Sequence, residues 1–200
     1  MKILIIGGHG TIGKRVSGFY KNTHEVLIAG RSAGDIKVDI TEKNAIRQMF
    51  EETGKFDAII CAAGEAKWAP FNELTEQDFM IGINSKLMGQ VNLVRIGLNF
   101  LNPGGSITLT TGILADHPVP MTSSAAMVNG AIHSFVKALP QDIEPQFRIN
   151  VVSSGLVEDA AEKYEAYFKG QPIISMSRVV QAYRDCIEGD FTGQIVRLYE

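Results

Sequence analysis

The hydrophobic residues of this chain fall into short runs separated by stretches with helical spacing. Most runs are rich in isoleucine and valine and are not interrupted by charge. They lie at 3–6, 26–29, 57–61, 106–110, 147–152 and 195–199, with a weaker one at 36–39. Runs of this kind are typical of parallel strands that are buried on both faces. The pattern therefore predicts a parallel sheet of about seven strands.

Between these runs, apolar residues recur every three or four positions, as on one face of a helix. The longest series extend from Met80 to Leu98 and from Ala125 to Leu139, and shorter helices are predicted near 42–53, 158–169 and 176–188. No repeat or long linker divides the 200 residues. We therefore predict one domain over residues 1–200, a Rossmann-like, doubly wound α/β fold with helices on both faces.

The first strand runs directly into a glycine-rich turn and then into a helix. Glycines stand at positions 7, 8, 10 and 13. In this order, backbone N–H groups and a helix N-terminus face a pyrophosphate. Gly7 permits the tight turn, Gly10 the approach of phosphate, and Gly13 the packing of helix on strand. We predict that these glycines bind a dinucleotide together with His9, Thr11 and Ile12.

The loop after the second strand bears on the type of dinucleotide. An acidic residue about 20 positions beyond the glycine loop would bind a ribose 2′-OH and indicate NAD. Here the chain has Arg31, followed by Ser32. A guanidinium suits a 2′-phosphate in charge and geometry, although a solvated loop arginine is the simpler alternative. We predict NADP as the cofactor.

Two further turns fall at the expected ligand edge of the sheet. Asp39 and Ile40 follow the weak third strand, and Ala62, Ala63 and Gly64 follow the fourth. The Asp39 carboxylate is suited to accept from the adenine amine, to begin the helix near residue 42, or to do both. The small residues would let the backbone approach a ribose or ring.

Composition narrows the possible partners and the compartment. The formal net charge of −3 gives no reason to expect nucleic acid or an anionic membrane as partner. The apolar run before Gly7 is too short for a signal-peptide core, and no stretch is long enough for a membrane span. The two cysteines lack disulfide-framework spacing, and with the four histidines they lack metal-site spacing. We expect a cytoplasmic protein without a metal.

Taken in order along the chain, these features resemble the short-chain dehydrogenase/reductase family. The glycine loop is similar to the family's phosphate loop, although Thr11 stands where many members carry glycine. The resemblance implies nicotinamide-dinucleotide binding, with Gly155 near the cofactor, and reduction of a small carbonyl substrate. Other similar stretches are 38–41 (the adenine-side Asp motif), 61–64 (Asn-Asn-Ala-Gly), 148–155 (the sixth strand and Pro-Gly pair, with Ser154 replacing proline) and 192–196.

The resemblance also implies where the family's catalytic Asn, Ser, Tyr and Lys would stand. At those positions the chain carries Lys86, Gly112, Ala125 and Asn129. A slip of one or two residues would place Asn84 at the Asn position. No shift restores the tyrosine, because none lies between residues 20 and 164. We therefore predict that the standard mechanism is absent.

Several residues near the predicted site are candidates for replacement chemistry. Lys86 is the first, because an ammonium with a lowered pKa can donate a proton. A lysine that extends along a helix into solvent is the alternative. Thr111 is suited to hydrogen-bond a carbonyl, and Asp116 with His117 is a weaker acid/base option. The stretch from Gly155 to Ser175 is shorter than in the family, which predicts an open substrate side.

Two functions therefore remain open. The first is an NADP(H)-dependent oxidoreductase with a non-standard active site, and the second is a non-catalytic dinucleotide-binding sensor or regulatory protein. Small residues on the helix after the fifth strand, such as Gly130 and Ala131, permit close helix approach. They predict a homodimer, although packing within one chain would use them equally well.

Overall fold

The computed structural model describes residues 1–200 and contains a seven-stranded sheet in the order β3-β2-β1-β4-β5-β6-β9, in which every neighbouring pair is parallel. The strands of this sheet are β1 (Lys2–Ile6), β2 (Glu25–Gly30), β3 (Ile36–Lys37), β4 (Phe56–Cys61), β5 (Leu101–Gly112), β6 (Arg148–Ser154) and β9 (Ile195–Arg197). Each predicted run coincides with one of them. The predicted Rossmann-like fold is confirmed.

Helices cover both faces of the sheet, as the pattern predicts. They are α1 (Thr11–Tyr20), α2 (Lys43–Thr53), α3 (Glu76–Gly82), α4 (Gly89–Gly97), α5 (Ser123–Ala138), α6 (Ala161–Tyr164) and α7 (Met176–Glu188). One core, of 21 buried residues, packs α2, α4 and α5 against the sheet. The other, of 16, packs α1 and α7 on the opposite face. No helix combines the length and apolar character needed to cross a bilayer.

The long helix predicted between Met80 and Leu98 is present but not regular. It begins after a capping box between Thr75 and Asp78, and a π-helical segment, Ile83–Met88, joins α3 to α4. A π turn widens the helix and shifts the side chains that follow it, and such turns are frequent at functional sites. Periodicity alone does not reveal this segment, because the apolar spacing continues through it.

The predicted helix near 158–169 is wrong in its extent. The chain forms a 3-10 turn over Glu158–Ala160 and the single-turn α6, and then turns back through Gly170, whose φ is +79°. It returns because two short strands pair beyond the main sheet, β7 (Leu156–Val157) with β8 (Ile173–Ile174). We call residues 158–172 the covering segment, because Phe168 within it packs against Ile113 and Leu156.

Candidate functional site

The carboxyl ends of β1, β2 and β4 surround a polar cavity of about 260 Å³. Its lining comes from the turns after these strands, from the turn after β3 and from the π-helical segment. The lining residues are Ile6, Gly7, Gly30, Arg31, Val38, Asp39, Ile40, Ala63, Gly64, Glu65 and Ser85. An adjoining cavity of about 280 Å³ shares Gly7, Gly30 and Arg31 with it and adds His9, Gly10, Ala29, Ser32 and Ala33. Nine of the fourteen sequence-predicted cofactor residues line these two cavities, and Thr11, Ile12, Gly13, Ala62 and Gly155 do not.

Two glycines of the turn, Gly7 and Gly13, are packed too tightly to carry side chains. Gly7 has a φ of +80°, and a Cβ there would lie 2.7 Å from the Ala62 carbonyl oxygen. A Cβ on Gly13 would lie 2.2 Å from the Gly7 carbonyl oxygen. Gly10 caps α1 without a side-chain hydrogen bond, so the first N–H groups of the helix, at Thr11 and Ile12, have no side-chain partner. This geometry suits an anion at the helix N-terminus.

Arg31 lies at the rim shared by the two cavities. Its Nη1 is 3.1 Å from Oε1 of Glu65, and both side chains are more than half exposed. Glu65 follows Gly64, whose φ is +116°, and its backbone N–H donates to Ser85 Oγ at 3.2 Å. Sequence reasoning missed Glu65, because a single acidic residue after a glycine belongs to no recognisable pattern.

Asp39 lines the polar cavity and is locked in a local turn. Its Oδ1 accepts hydrogen bonds from Thr41 N at 2.9 Å and from Thr41 Oγ1 at 2.8 Å. These bonds, with a smaller contribution from Arg31, hold the pKa of Asp39 below its ordinary value. The suggestion that Asp39 begins α2 is wrong, because the residue preceding that helix is Glu42 and no side chain caps it.

Lys86 packs directly against the turn after β4. A Cβ on Gly64 would lie 2.8 Å from the Lys86 Cα, so this glycine makes room for the π-helical segment. The side chain is partly exposed, and burial around the ammonium lowers the pKa of Lys86. Lys86 is not among the residues that line either the polar cavity or the apolar cavity described next.

A second, mainly apolar cavity of about 170 Å³ lies at the ends of β5 and β6, beneath the covering segment. It is lined by Trp68, Gly112, Ile113, Leu114, Ser154, Gly155, Leu156, Val157, Ala160, Tyr164 and Phe168. The Trp68 and Tyr164 ring centroids are 5.9 Å apart. Lys163 Nζ lies 4.8 Å from the Tyr164 ring centroid. Gly155, predicted near the cofactor, forms part of this wall.

The positions of the family's catalytic residues carry no equivalent chemistry. Gly112 lines the apolar cavity, and Ala125 is buried against Ile113 and Leu114. Asn129 is buried, and its Oδ1 has no hydrogen-bond partner. None of these three side chains can act as a proton donor with the acidity of a phenol or an ammonium.

Asp116 does not form the acid/base pair with His117 that the sequence suggests. Its Oδ2 lies 2.8 Å from Arg197 Nε and 2.5 Å from the Tyr199 hydroxyl, and 3.9 Å from Nδ1 of His133. The hydrogen bond from Arg197, together with the hydrogen bond from Tyr199, lowers the pKa of Asp116 to about 2. The His117 ring instead packs edge-on against Tyr199.

His133 extends this network from the surface into the buried sheet. Its Nε2 is 2.8 Å from Thr111 Oγ1 on β5. Burial disfavours the imidazolium and lowers the pKa of His133 to about 4, against the opposing effect of Asp116. Thr111 is therefore hydrogen-bonded within the core and does not line the apolar cavity.

The seven-stranded parallel sheet and the glycine turn before α1 define the dinucleotide-binding class of α/β folds. A family model described as enoyl-(acyl carrier protein) reductase matches residues 15–181. The chain belongs to the short-chain dehydrogenase/reductase family.

Similar proteins include both solved structures and curated relatives. The protein lin1944 from Listeria innocua is 41% identical, with a TM-score of 0.97 and coverage of 100% of both chains. A small-chain dehydrogenase in complex with NADPH is 26% identical, with a TM-score of 0.89 and coverage of 99% of this chain and 96% of that chain. Hydroxynaphthalene reductase arp2 of Aspergillus fumigatus is 29% identical over 130 residues, 61% of this chain and 48% of the relative. The chain thus spans about half the length of the curated relatives it matches.

Proposed function

We propose that this protein binds NADP(H) and reduces small carbonyl compounds at a non-standard active site. The observation that carries the proposal is the glycine turn, which leaves no room for a Cβ at Gly7 or Gly13 and exposes the N-terminus of α1 beside Arg31. That arrangement fits a pyrophosphate and a 2′-phosphate. The similarity to a small-chain dehydrogenase in complex with NADPH supports the choice of cofactor.

Each predicted cofactor residue has a role consistent with its place in the cavities. The turn from Gly7 to Gly13 would hold the pyrophosphate, and Arg31 with Ser32 would hold the 2′-phosphate. Asp39 and Ile40 line the part of the polar cavity suited to adenine. Ala62, Ala63 and Gly64 would let a ribose approach the backbone, and Gly155 would contact the ring at the apolar cavity. When bound, the reduced dinucleotide supplies a hydride.

The apolar cavity is the proposed site of the carbonyl substrate. Carbonyl reduction needs a proton for the developing alkoxide, and Tyr164 carries the only phenol in the lining. Its hydroxyl makes no hydrogen bond within the protein, and the ammonium of Lys163 lies over its ring, 4.8 Å from the centroid. Lys86, the candidate from the sequence, is the competing donor.

The outward face of α5 favours a homodimer. Ala125 is buried within the chain, but a Cβ on Gly130 would meet nothing within 4 Å, and Met127 is 44% exposed. A second copy of this chain would cover these residues. The free, buried thiols of Cys61 and Cys186 suit a reducing compartment, and the location we propose is the cytoplasm.

Two measurements test the proposed function. NADPH fluorescence is first titrated with the purified protein, and NADPH absorbance is then followed with benzaldehyde, acetophenone or 1,4-benzoquinone as acceptor. We expect saturable binding and oxidation with at least one acceptor. Binding without oxidation would favour the non-catalytic sensor, and absence of NADPH binding would overturn both functions.

A further inference from the structure

The polar cavity combines a phosphate-binding residue with an excess of negative charge. Among the residues that line it, only Arg31, Asp39 and Glu65 are ionisable, and their charges sum to −1. A 2′-phosphate would add about two more negative charges to this space at neutral pH. A cavity adapted solely to that phosphate would not be expected to carry a carboxylate beside its arginine.

The two carboxylates of the cavity differ in what they do. Asp39 accepts two hydrogen bonds from Thr41, so its position is fixed by its own turn. Glu65 has no such partner, and its carboxylate contacts Arg31 through one pair of atoms at 3.1 Å. The Arg31 guanidinium is therefore paired with an acidic side chain of the protein itself.

The backbone holds Glu65 where it can compete for Arg31. Gly64 turns the chain with a φ of +116°, and the Glu65 N–H is bound by Ser85 Oγ on the π-helical segment. Only the side chain beyond this anchor is free, and it is 57% exposed. An exposed pair with a single contact is weak, whereas a phosphate can accept two parallel hydrogen bonds from a guanidinium. A 2′-phosphate can thus displace Glu65 from Arg31, but breaking the Arg31–Glu65 pair lowers the net free energy gained on binding.

We propose that Glu65 is a specificity-determining residue that competes with the 2′-phosphate for Arg31. It lowers the affinity for the phosphorylated dinucleotide and leaves the affinity for the unphosphorylated one nearly unchanged. The discrimination between NADPH and NADH is therefore smaller than Arg31 alone would give. This inference rests on the proposed function, because it assigns Arg31 to the 2′-phosphate.

Binding measurements test the competition without requiring turnover. Dissociation constants for NADPH and NADH are measured by fluorescence titration for the wild type and for E65Q, R31M and the double variant. We expect E65Q to tighten NADPH binding by about threefold to tenfold and to change NADH binding by less than about twofold. The E51Q variant is the matched control, since Glu51 is exposed on α2 and lies outside the cavity.

The double variant separates competition from simple charge repulsion. If Glu65 acts through Arg31, the gain from E65Q shrinks in the R31M background. The inference would be overturned if E65Q raised NADPH affinity equally in the wild-type and R31M backgrounds. It would also be overturned if E65Q raised the affinities for NADPH and NADH equally. A loss of NADH affinity in E65Q would also overturn it, because Glu65 would then bind the ribose hydroxyl. If the wild type binds neither dinucleotide, the proposed function itself fails.

Discussion

At the scale of single residues, two glycines of α1 make a matched pair. Gly13 would place a Cβ 2.2 Å from backbone, whereas Gly18 has nothing within 4 Å. We expect Gly13→Ala to cost about 1–3 kcal/mol of stability, since the turn must shift to accept the methyl group. It should also weaken NADPH binding by roughly tenfold or more, which corresponds to about 1.4 kcal/mol. Urea denaturation and fluorescence titration measure the two effects.

Gly18→Ala is the control for that change. It places the same methyl group on the exposed side of the same helix, so it should raise stability by about 0.5–1 kcal/mol and leave NADPH binding unchanged. If both variants bound NADPH as the wild type does, the glycine turn would not be a phosphate site.

Tyr164 and Tyr167 make a second pair. Both rings pack on Trp68, but only Tyr164 lines the apolar cavity. Tyr164→Phe should lower the kcat for benzaldehyde by roughly a hundredfold, which is typical of losing a general acid, with little change in NADPH affinity. Tyr167→Phe should retain the wild-type kcat.

The acceptor supplies an internal check on this prediction. Hydride addition to a quinone leaves a phenolate. Its conjugate acid has a pKa of about 10, so a proton donor in the protein contributes little to the rate. An aldehyde leaves an alkoxide almost as basic as hydroxide, whose parent water has a pKa near ~15.7. Equal losses with both acceptors would argue against proton donation by Tyr164. If Lys86→Met lowers the kcat for benzaldehyde and Tyr164→Phe does not, Lys86 is the proton donor.

At the scale of elements, Gln90 on α4 joins the ends of two strands. Its Nε2 donates to the carbonyl oxygens of Ala63, at 3.3 Å, and of Thr110, at 3.0 Å. Its Oε1 also accepts a hydrogen bond from Thr110 N at 3.4 Å. Gln90→Leu removes all three bonds, and we expect a loss of about 1–3 kcal/mol in the free energy of unfolding. NADPH binding should weaken as well, because the turn at Ala63 loses its support. Exposed Gln48→Leu is the control, and equal losses in both variants would contradict this role.

The elements also show how far the sequence could lead. Buried strands contain short apolar runs, so all seven strands of the main sheet were predictable, although the edge strands β3 and β9 are only partly buried. The strands at 156–157 and 173–174 were not, because two residues are too few to show a period. The pairing of these two strands shortens α6. This shortening depends on a tertiary contact, so local sequence periodicity does not reveal it. At the site, the glycines and Arg31 were predictable because they stand at recognisable spacings in the sequence. Glu65 and Tyr164 were not, because only the folded chain brings them to the cavities.

At the scale of the whole molecule, His133 links β5, α5 and the C-terminal strand β9. Burial lowers its pKa from 6.5 to about 4, so in that window the unfolded chain binds a proton that the folded chain does not. The free energy of unfolding should therefore fall as pH decreases from about 6.5 towards about 4, by at most ~1.4 kcal/mol per pH unit from this group. Below that window, protonation of Asp116 takes over, since its pKa is also lowered.

Histidine variants isolate that contribution. His133→Gln should flatten the decline, whereas exposed His117→Gln should leave it unchanged, in urea denaturation between about pH 7 and about pH 4.5. A single transition common to fluorescence and circular dichroism would support one domain over residues 1–200. If the free energy of unfolding of the His133 variant fell with decreasing pH as steeply as that of the wild type, other groups would be responsible for the acid sensitivity.

The proposed homodimer would pack α5 of one copy against α5 of the other. Close approach of two copies of this helix requires small residues, and Gly130 offers the required space because its Cβ position is open. Gly130→Arg should leave the monomer folded, since arginine favours a helix more than glycine does. We expect it to raise the dimer dissociation constant by roughly a hundredfold, measured by sedimentation equilibrium. Gln181→Arg on α7, on the opposite face of the sheet, should not change the association. A wild type that is monomeric at all concentrations would instead leave the α5 face exposed and contradict the dimer.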